Sequence, residues 1–376
     1  MAFAPRRDSS GADAPSRIAE KNSSDSHPFN EVAGPRLGGA SGMPSEDNGA
    51  RKKPEEMRLS LDERGAAADL FEMLDALPDQ VSVYEVSLRD GLQNEQVMVS
   101  LRGKLRLIDA LVSAGLRRIE VTSFVSPKWI PQLSDADDLV EHLRPHPGVT
   151  FSALCPNAIG LERATAAKIQ EIAIFMSASE THNRKNINRT IDEALATFHE
   201  IVAPALASGM RVRAYLSTVW GCPYEGEIDP KRALGIAKEL LDLGCYQVSL
   251  GDTIGVGTPV QTSKIMKMML GELPADKLAM HMHDTRGTAL VNILVGLELG
   301  IRTFDASVGG LGGCPYAPGA AGNCATEDLV YMLHGMGVKS GIDIERLVEA
   351  GKAAESIVGR KLPGKVHQSG VRSLRA

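Results

Sequence analysis

Two histidines separated by one residue, His281-Met282-His283, are the sharpest chemical signal in the chain. They sit in a short run, Leu278–His283, with the composition of a β-strand. Side chains alternate along a strand, so both imidazoles face the same side. Two imidazoles converging there suit one metal ion better than a pair of satisfied core histidines. Asp90 is a candidate carboxylate ligand and Asn323 a candidate amide-oxygen ligand. Nitrogen and oxygen donors without a thiolate match an octahedral divalent cation, Mg2+ or Mn2+, rather than structural zinc.

Other polar residues gather at the ends of apolar runs. Arg89 precedes Asp90, and a guanidinium can hold a thioester or carboxylate oxygen where negative charge develops. Glu120 suits a proton relay or an ion pair with Arg89 or Arg213. Asp252 is a candidate for orienting a ligand or handling a substrate hydroxyl proton. Cys314 lies in the densest glycine region, where six glycines and two prolines fall between Gly309 and Gly322. Such a loop can move as a lid, and a thiol on it can carry a proton if its pKa is tuned. Arg89, Gln93, Arg213 and Tyr215 are the candidates for substrate contact.

These residues need a scaffold that brings distant strand ends together. Short β-branched runs are expected as strands at Val81–Val86, Arg118–Thr122, Thr150–Leu154, Glu171–Met176, Val212–Ser217, Gln247–Leu250, Leu278–His283 and Thr303–Ser307. A helical stretch follows each one. Thr190-Ile191-Asp192-Glu193 spells a capping box, and Asp229-Pro230 and Thr258-Pro259 each place a side-chain acceptor before an N1 proline. Gly115, Gly209, Gly244 and Gly300 stand where helices should stop. Eight β–α units over about 250 residues predict an α/β fold, a closed (β/α)8 (TIM) barrel whose active site lies at the C-terminal ends of the strands. A doubly wound open sheet is the alternative, weakened by the absence of a GxGxxG turn after the first strand. The barrel domain is expected over 66–376, with a C-terminal helical cap. Residues 1–65 are rich in Gly, Ser, Pro, Asp and Arg and are expected to be a disordered extension. A short helix is expected at Ala66–Leu77.

With these motifs in place, the chain resembles the hydroxymethylglutaryl-CoA lyase family of metal-dependent lyases. The likeness rests on RDGLQNE at 89–95, TSFVSPKWIPQ at 122–132, GCPYEG at 221–226, GCYQVSLGDTIGVGTP at 244–259, HMHDT at 281–285 and GLGGCPYAPGAAGN at 310–323. The resemblance implies Asp90, His281, His283 and Asn323 as metal ligands. It implies Arg89 and Cys314 as catalytic residues, assisted by Glu120 and Asp252. It implies retro-Claisen cleavage of an acyl-CoA, with (S)-3-hydroxy-3-methylglutaryl-CoA as the family-like substrate. Citramalyl-CoA, a longer 3-hydroxy-3-alkylglutaryl-CoA, or the reverse condensation would use similar chemistry. The chain departs from the family pattern at Ser87-Leu88, Met282 and Arg286-Gly287-Thr288, positions expected beside the acyl group.

Composition bounds the remaining classes. The 376 residues carry a net charge of −6, with no basic excess for a nucleic-acid partner. Five cysteines, none in a CxxC pair, fit a reducing compartment better than a disulfide scaffold. No apolar run reaches membrane-spanning length. The N-terminus has no secretory h-region, and its interspersed acids fit a transit peptide poorly, so a cytoplasmic location is expected. The expected partners are an acyl-CoA substrate and further copies of the chain, as a dimer or tetramer, with neither nucleic acid nor membrane.

Overall fold

The computed structural model describes residues 77–314 and 317–371, with side chains of 314–321 not described. The expected disordered extension (1–65) and all but the last residue of the expected helix at Ala66–Leu77 lie outside the described residues. Eight parallel strands close into a barrel in chain order. They are β1 (Ser82–Glu85), β2 (Arg118–Ser123), β3 (Thr150–Leu154), β4 (Glu171–Ser177), β5 (Arg211–Ser217), β6 (Gln247–Asp252), β7 (Leu278–Met282) and β8 (Thr303–Ala306). Strand β1 meets β8 through Ser82↔Thr303 to Glu85↔Ala306, so the barrel is closed and the open sheet is excluded. Its seam with β2 is much shorter, with the single register pair Glu85↔Ile119.

Helices follow the strands as expected. They are α1 (Leu101–Ser113), α2 (Ala136–Glu141), α3 (Ala158–Ala166), α4 (Glu180–Ile187), α5 (Ile191–Ala207), α6 (Pro230–Asp242), α7 (Pro259–Leu270), α8 (Ala289–Glu298) and α9 (Thr326–Gly335). Two further helices, α10 (Ile344–Val358) and α11 (Lys365–Ser369), complete the described chain. The Thr190 capping box forms in both directions, and Asp229 and Thr258 each accept from a backbone N–H of the first turn. Gly209 stops α5 with φ 84° and Gly244 follows α6 with φ 108°, left-handed conformations that favour glycine.

Strand alternation sorts the interior from the outer core. Ile172, Val212, Leu216, Val248, Leu250, Met280 and Met282 belong to the large apolar cluster shared with the helices. The opposite face carries Ala173, Phe175 and Tyr215 in a small apolar cluster of its own, and polar residues otherwise. Met282 is therefore 1% exposed and packs outward. The sequence expectation that it lies beside the acyl group is corrected, since its neighbours His281 and His283 take the other face.

The glycine-rich segment is tied down at its root. Glu85 Oε1 accepts from Val308 N–H at 2.9 Å, and Glu327 Oε2 accepts from Gly309 N–H at 2.7 Å. Burial pushes the Glu327 carboxyl from its ordinary value of 4.5 up to about 8. The folded chain thus keeps a proton there that the unfolded chain has already released. The stability this group contributes is full below pH 4.5 and is lost as pH rises through about 8. Glu327→Gln keeps an acceptor for Gly309 and removes the ionisation. Calorimetric melting of the variant should show a flatter fall in Tm between pH 5 and pH 8 than the wild type; an identical slope would refute the protonated carboxyl.

Candidate active site

Strand β1 does not run straight into a loop. It passes into one π-helical turn, Ser87–Gly91, every residue of which is buried. Such turns are rare and concentrate at functional sites. Here the turn sends two consecutive side chains to the barrel mouth. Arg89 donates through Nε to Glu120 Oε2 at 2.5 Å and through Nη1 to Asp90 Oδ1 at 2.7 Å. Its guanidinium also lies 5.1 Å from the Tyr215 ring centre, and the Tyr215 hydroxyl donates to Glu120 Oε2 at 3.1 Å. Glu120 is thus Arg89's partner, not Arg213's. Burial pushes its carboxyl up, with Arg89 opposing.

Asp90, His281 and His283 are all buried, and one ligand atom from each lies within 4.8 Å of the others. Burial works against the Asp90 charge, but Arg89 and then His281 outweigh it and hold the carboxyl well below its ordinary range. Burial, then the neighbouring His281, pushes His283 down to about 3, so its ring is neutral at neutral pH. Gln93 also donates to Asp90 Oδ1 at 3.0 Å. This carboxylate oxygen therefore takes a guanidinium N–H from Arg89 and an amide N–H from Gln93.

The residues fit a divalent cation. One carboxylate is held ionised and two imidazoles stand beside it, an arrangement of oxygen and nitrogen donors with no thiolate. His283 Nδ1 is buried with no hydrogen-bond partner among the described residues, a burial that costs roughly 1–3 kcal/mol unless something else meets the lone pair. Asn323 comes to the same place from the far end of the glycine-rich segment, bridged to His283 in a short antiparallel pairing. Its Nδ2 donates to Asp90 Oδ2 at 2.9 Å and to the Leu311 carbonyl at 3.0 Å. The amide nitrogen thus faces Asp90. Gly312 must lack a side chain here, since a Cβ would stand 2.7 Å from Asn323 Nδ2.

Two sequence-based assignments are corrected. Arg213 was expected to touch substrate, but its guanidinium is fully buried within the barrel. It forks onto Asp305 at 2.7 and 3.1 Å and donates through Nε to Gln247 at 3.2 Å. Asp252 was expected to orient a ligand or handle a substrate hydroxyl proton. Along β6 the inward positions are Gln247, Ser249 and Gly251, so Asp252 shares the outward face of Leu250. Its Oδ1 and Oδ2 accept from Val256 N–H at 3.0 Å and Gly257 N–H at 2.9 Å. It braces the loop after β6. Tyr215 does line the cavity, together with Asp90, His281 and His283. Ser217, Ser249 and Thr253 line it too and were not singled out in the sequence. Strand alternation on β5 and β6 was the available signal for the two serines.

Arg286, a departure from the family pattern, is exposed and donates to the carbonyls of Ile254 and Gly255 at 2.7 and 2.9 Å. It clips the loop after β7 to the loop after β6. The Cys314 backbone forms the two-residue β9 (Gly313–Cys314), paired with β10 (Ala317–Ala321), while its side chain lies outside the described residues. The other four cysteines are buried free thiols, two of which, Cys155 and Cys245, burial pushes up to about 12.

A family model described as HMGL-like matches residues 80–353. The mitochondrial hydroxymethylglutaryl-CoA lyase of Bos taurus is 49% identical over 292 residues, covering 78% of this chain and 90% of the relative. The cytoplasmic 3-hydroxy-3-methylglutaryl-CoA lyase of Danio rerio is 48% identical over 296 residues, 79% of this chain and 88% of the relative. The crystal structure of the HMG-CoA lyase of Bacillus subtilis superposes with a TM-score of 0.77 at 47% identity, over 78% of this chain and 98% of that one.

Replacing His283 by alanine removes an imidazole that a methyl group cannot replace. Titration with Mn2+ followed by electron paramagnetic resonance should show no stoichiometric binding to a His283→Ala protein that still melts cooperatively. Wild-type stoichiometry in the variant would remove His283 from the ligand set.

Proposed function

The chain belongs to the HMGL-like family, and on that premise we propose that it cleaves (S)-3-hydroxy-3-methylglutaryl-CoA to acetyl-CoA and acetoacetate. The observation that carries the reading is the meeting of Asp90, His281 and His283 beside the Arg89–Glu120 pair, in a chain about half identical to curated lyases over most of their length. A divalent cation, Mg2+ or Mn2+, would be held by Asp90, His281 and His283 with Asn323, and supplies Lewis acidity toward a substrate hydroxyl and carboxylate.

The chain's own residues then have distinct tasks. The substrate C3 hydroxyl gives up its proton to solvent and becomes the acetoacetate carbonyl as the C2–C3 bond breaks, and the bond's electron pair leaves as an enolate on the thioester fragment, the costly species of the reaction. Arg89 keeps its full charge because Glu120 and Asp90 hold it, and it offsets the enolate charge in a site where water does not screen it. Fixed by two carboxylates and the Tyr215 ring, it needs no reorganisation as that charge appears. Cys314 protonates the enolate carbon. Asp252 holds the loop that presents Thr253 to the cavity. We place the enzyme in the cytoplasm, as for the Danio rerio relative.

Purified protein with Mg2+ or Mn2+ should release acetoacetate from (S)-3-hydroxy-3-methylglutaryl-CoA. Preferential cleavage of citramalyl-CoA would replace the substrate, and CoA release from acetyl-CoA with a 2-oxo acid would replace the reaction direction. Within the lyase, Arg89→Lys keeps a charge but loses the planar fork. It should lower kcat by roughly 10²–10³ with little change in KM, the range for losing one transition-state donor. Cys314→Ser should slow turnover at normal metal content. Near-wild-type kcat in that variant would show that another group donates the proton.

A further inference from the structure

The buried carboxylate of Asp305 lies outside every role assigned so far. It sits in β8, directly across from His281 of β7 in the strand register, and is 1% exposed. Its Oδ2 is approached by His281 Nδ1 at 3.3 Å, the Ser249 hydroxyl at 2.7 Å and Arg213 Nη1 at 3.1 Å. Its Oδ1 accepts from Arg213 Nη2 at 2.7 Å. The other nitrogen of the same imidazole, His281 Nε2, lies 3.8 Å from Asp90 Oδ2, on the side of the ligand cluster.

We propose that Asp305 is a positioning residue that fixes His281 as its Nδ1–H tautomer and so reserves Nε2 for the metal, with Arg213 and Ser249 holding the carboxylate in place. The inference rests on the metal-site reading given above. An imidazole whose Nδ1 faces a carboxylate is held with its proton there, and the remaining nitrogen carries the lone pair toward the cation. The fork of Arg213 makes the arrangement directional. A bidentate guanidinium fixes the plane of the carboxylate, and Gln247 in turn holds Arg213 Nε from the next strand. Gln247 donates to the carbonyls of Asp276 and Leu278 and to the Thr303 hydroxyl, below the cluster. The orientation of one metal-facing nitrogen is thereby tied to the floor of the barrel. A plain Arg213–Asp305 ion pair would need neither the shared Oδ2 nor the facing register with His281.

Two measurements test this. In wild-type protein labelled with 15N-histidine, long-range imidazole correlation spectra at neutral pH should show His281 protonated at Nδ1, with the signals assigned by their loss in His281→Gln. A His281 protonated at Nε2 instead overturns the proposal, whatever any variant does. In Asp305→Asn, Mn2+ affinity read by electron paramagnetic resonance should fall by roughly 10–100-fold, the usual effect of losing an outer-shell partner. Ser249→Ala, which leaves the Arg213 fork intact, should produce a smaller fall in the same direction. A folded Asp305→Asn protein that binds Mn2+ as tightly as wild type overturns the inference while leaving the metal site standing. A wild-type protein that takes up no Mn2+ overturns both.

Discussion

Arg89 carries a full positive charge with no access to water, and a charge so placed persists only where carboxylates meet it. Glu120 meets it from β2 and Asp90 from the adjacent position of its own turn. Much of the surrounding architecture follows from that requirement. The chain after β1 has to fold into a π turn so that consecutive residues both reach inward. Tyr215 has to stand where its ring takes the guanidinium and its hydroxyl takes the carboxylate. Asp90, drawn well below its ordinary pKa by the same pairing, becomes a permanent anion at the mouth, beside the neutral ring of His283.

The barrel interior repeats this logic one layer down. Arg213 is neutralised by Asp305, and the Tyr84 hydroxyl donates to Glu171 while accepting from the Ser152 hydroxyl. Such a polar interior is an expensive way to fill a barrel, since apolar side chains of similar volume are often as stabilising or more so. Its return is in direction. Forked ion pairs and shared carboxylate oxygens fix the angles of groups that an apolar core would hold only by shape. Most of the apolar burial is left to the outer layer, where Ile172, Val212, Leu250, Met280 and Met282 pack against the helices.

The fold was legible because its signals are local. β-branched runs, capping boxes and the glycines at helix ends lie within a few residues of what they specify, and all eight strands fall where those signals put them. That His281 and His283 come together was legible for the same reason, since their spacing alone declares a shared face. The misses have two causes. Asp252 and Met282 were read by motif, although the alternation that served the histidines would have turned both outward. Arg213 and Asp305 are different. Each is a charged residue in a largely apolar strand, and neither strand names the partner; the pairing exists only once the closed ring brings β5 and β8, three strands apart, together across the interior. Ser249 and the orientation of the Asn323 amide depend on that closure too.

Closing the ring by pairing Ser82–Glu85 with Thr303–Ala306 also imposes an order on synthesis. While the chain is emerging from the ribosome, β1 has only its short seam with β2, and its other edge stays unsatisfied until β8 has been made. Contacts so distant in sequence form slowly, and an open strand edge is a site for mispairing in the meantime. The nascent chain should therefore lean on chaperones late rather than early. Asp90 waits through the same interval for His281, His283 and Asn323, so no partial chain can assemble this cluster. Activity arrives only once the segment beyond the final barrel strand, with Cys314 and Asn323, has also been made.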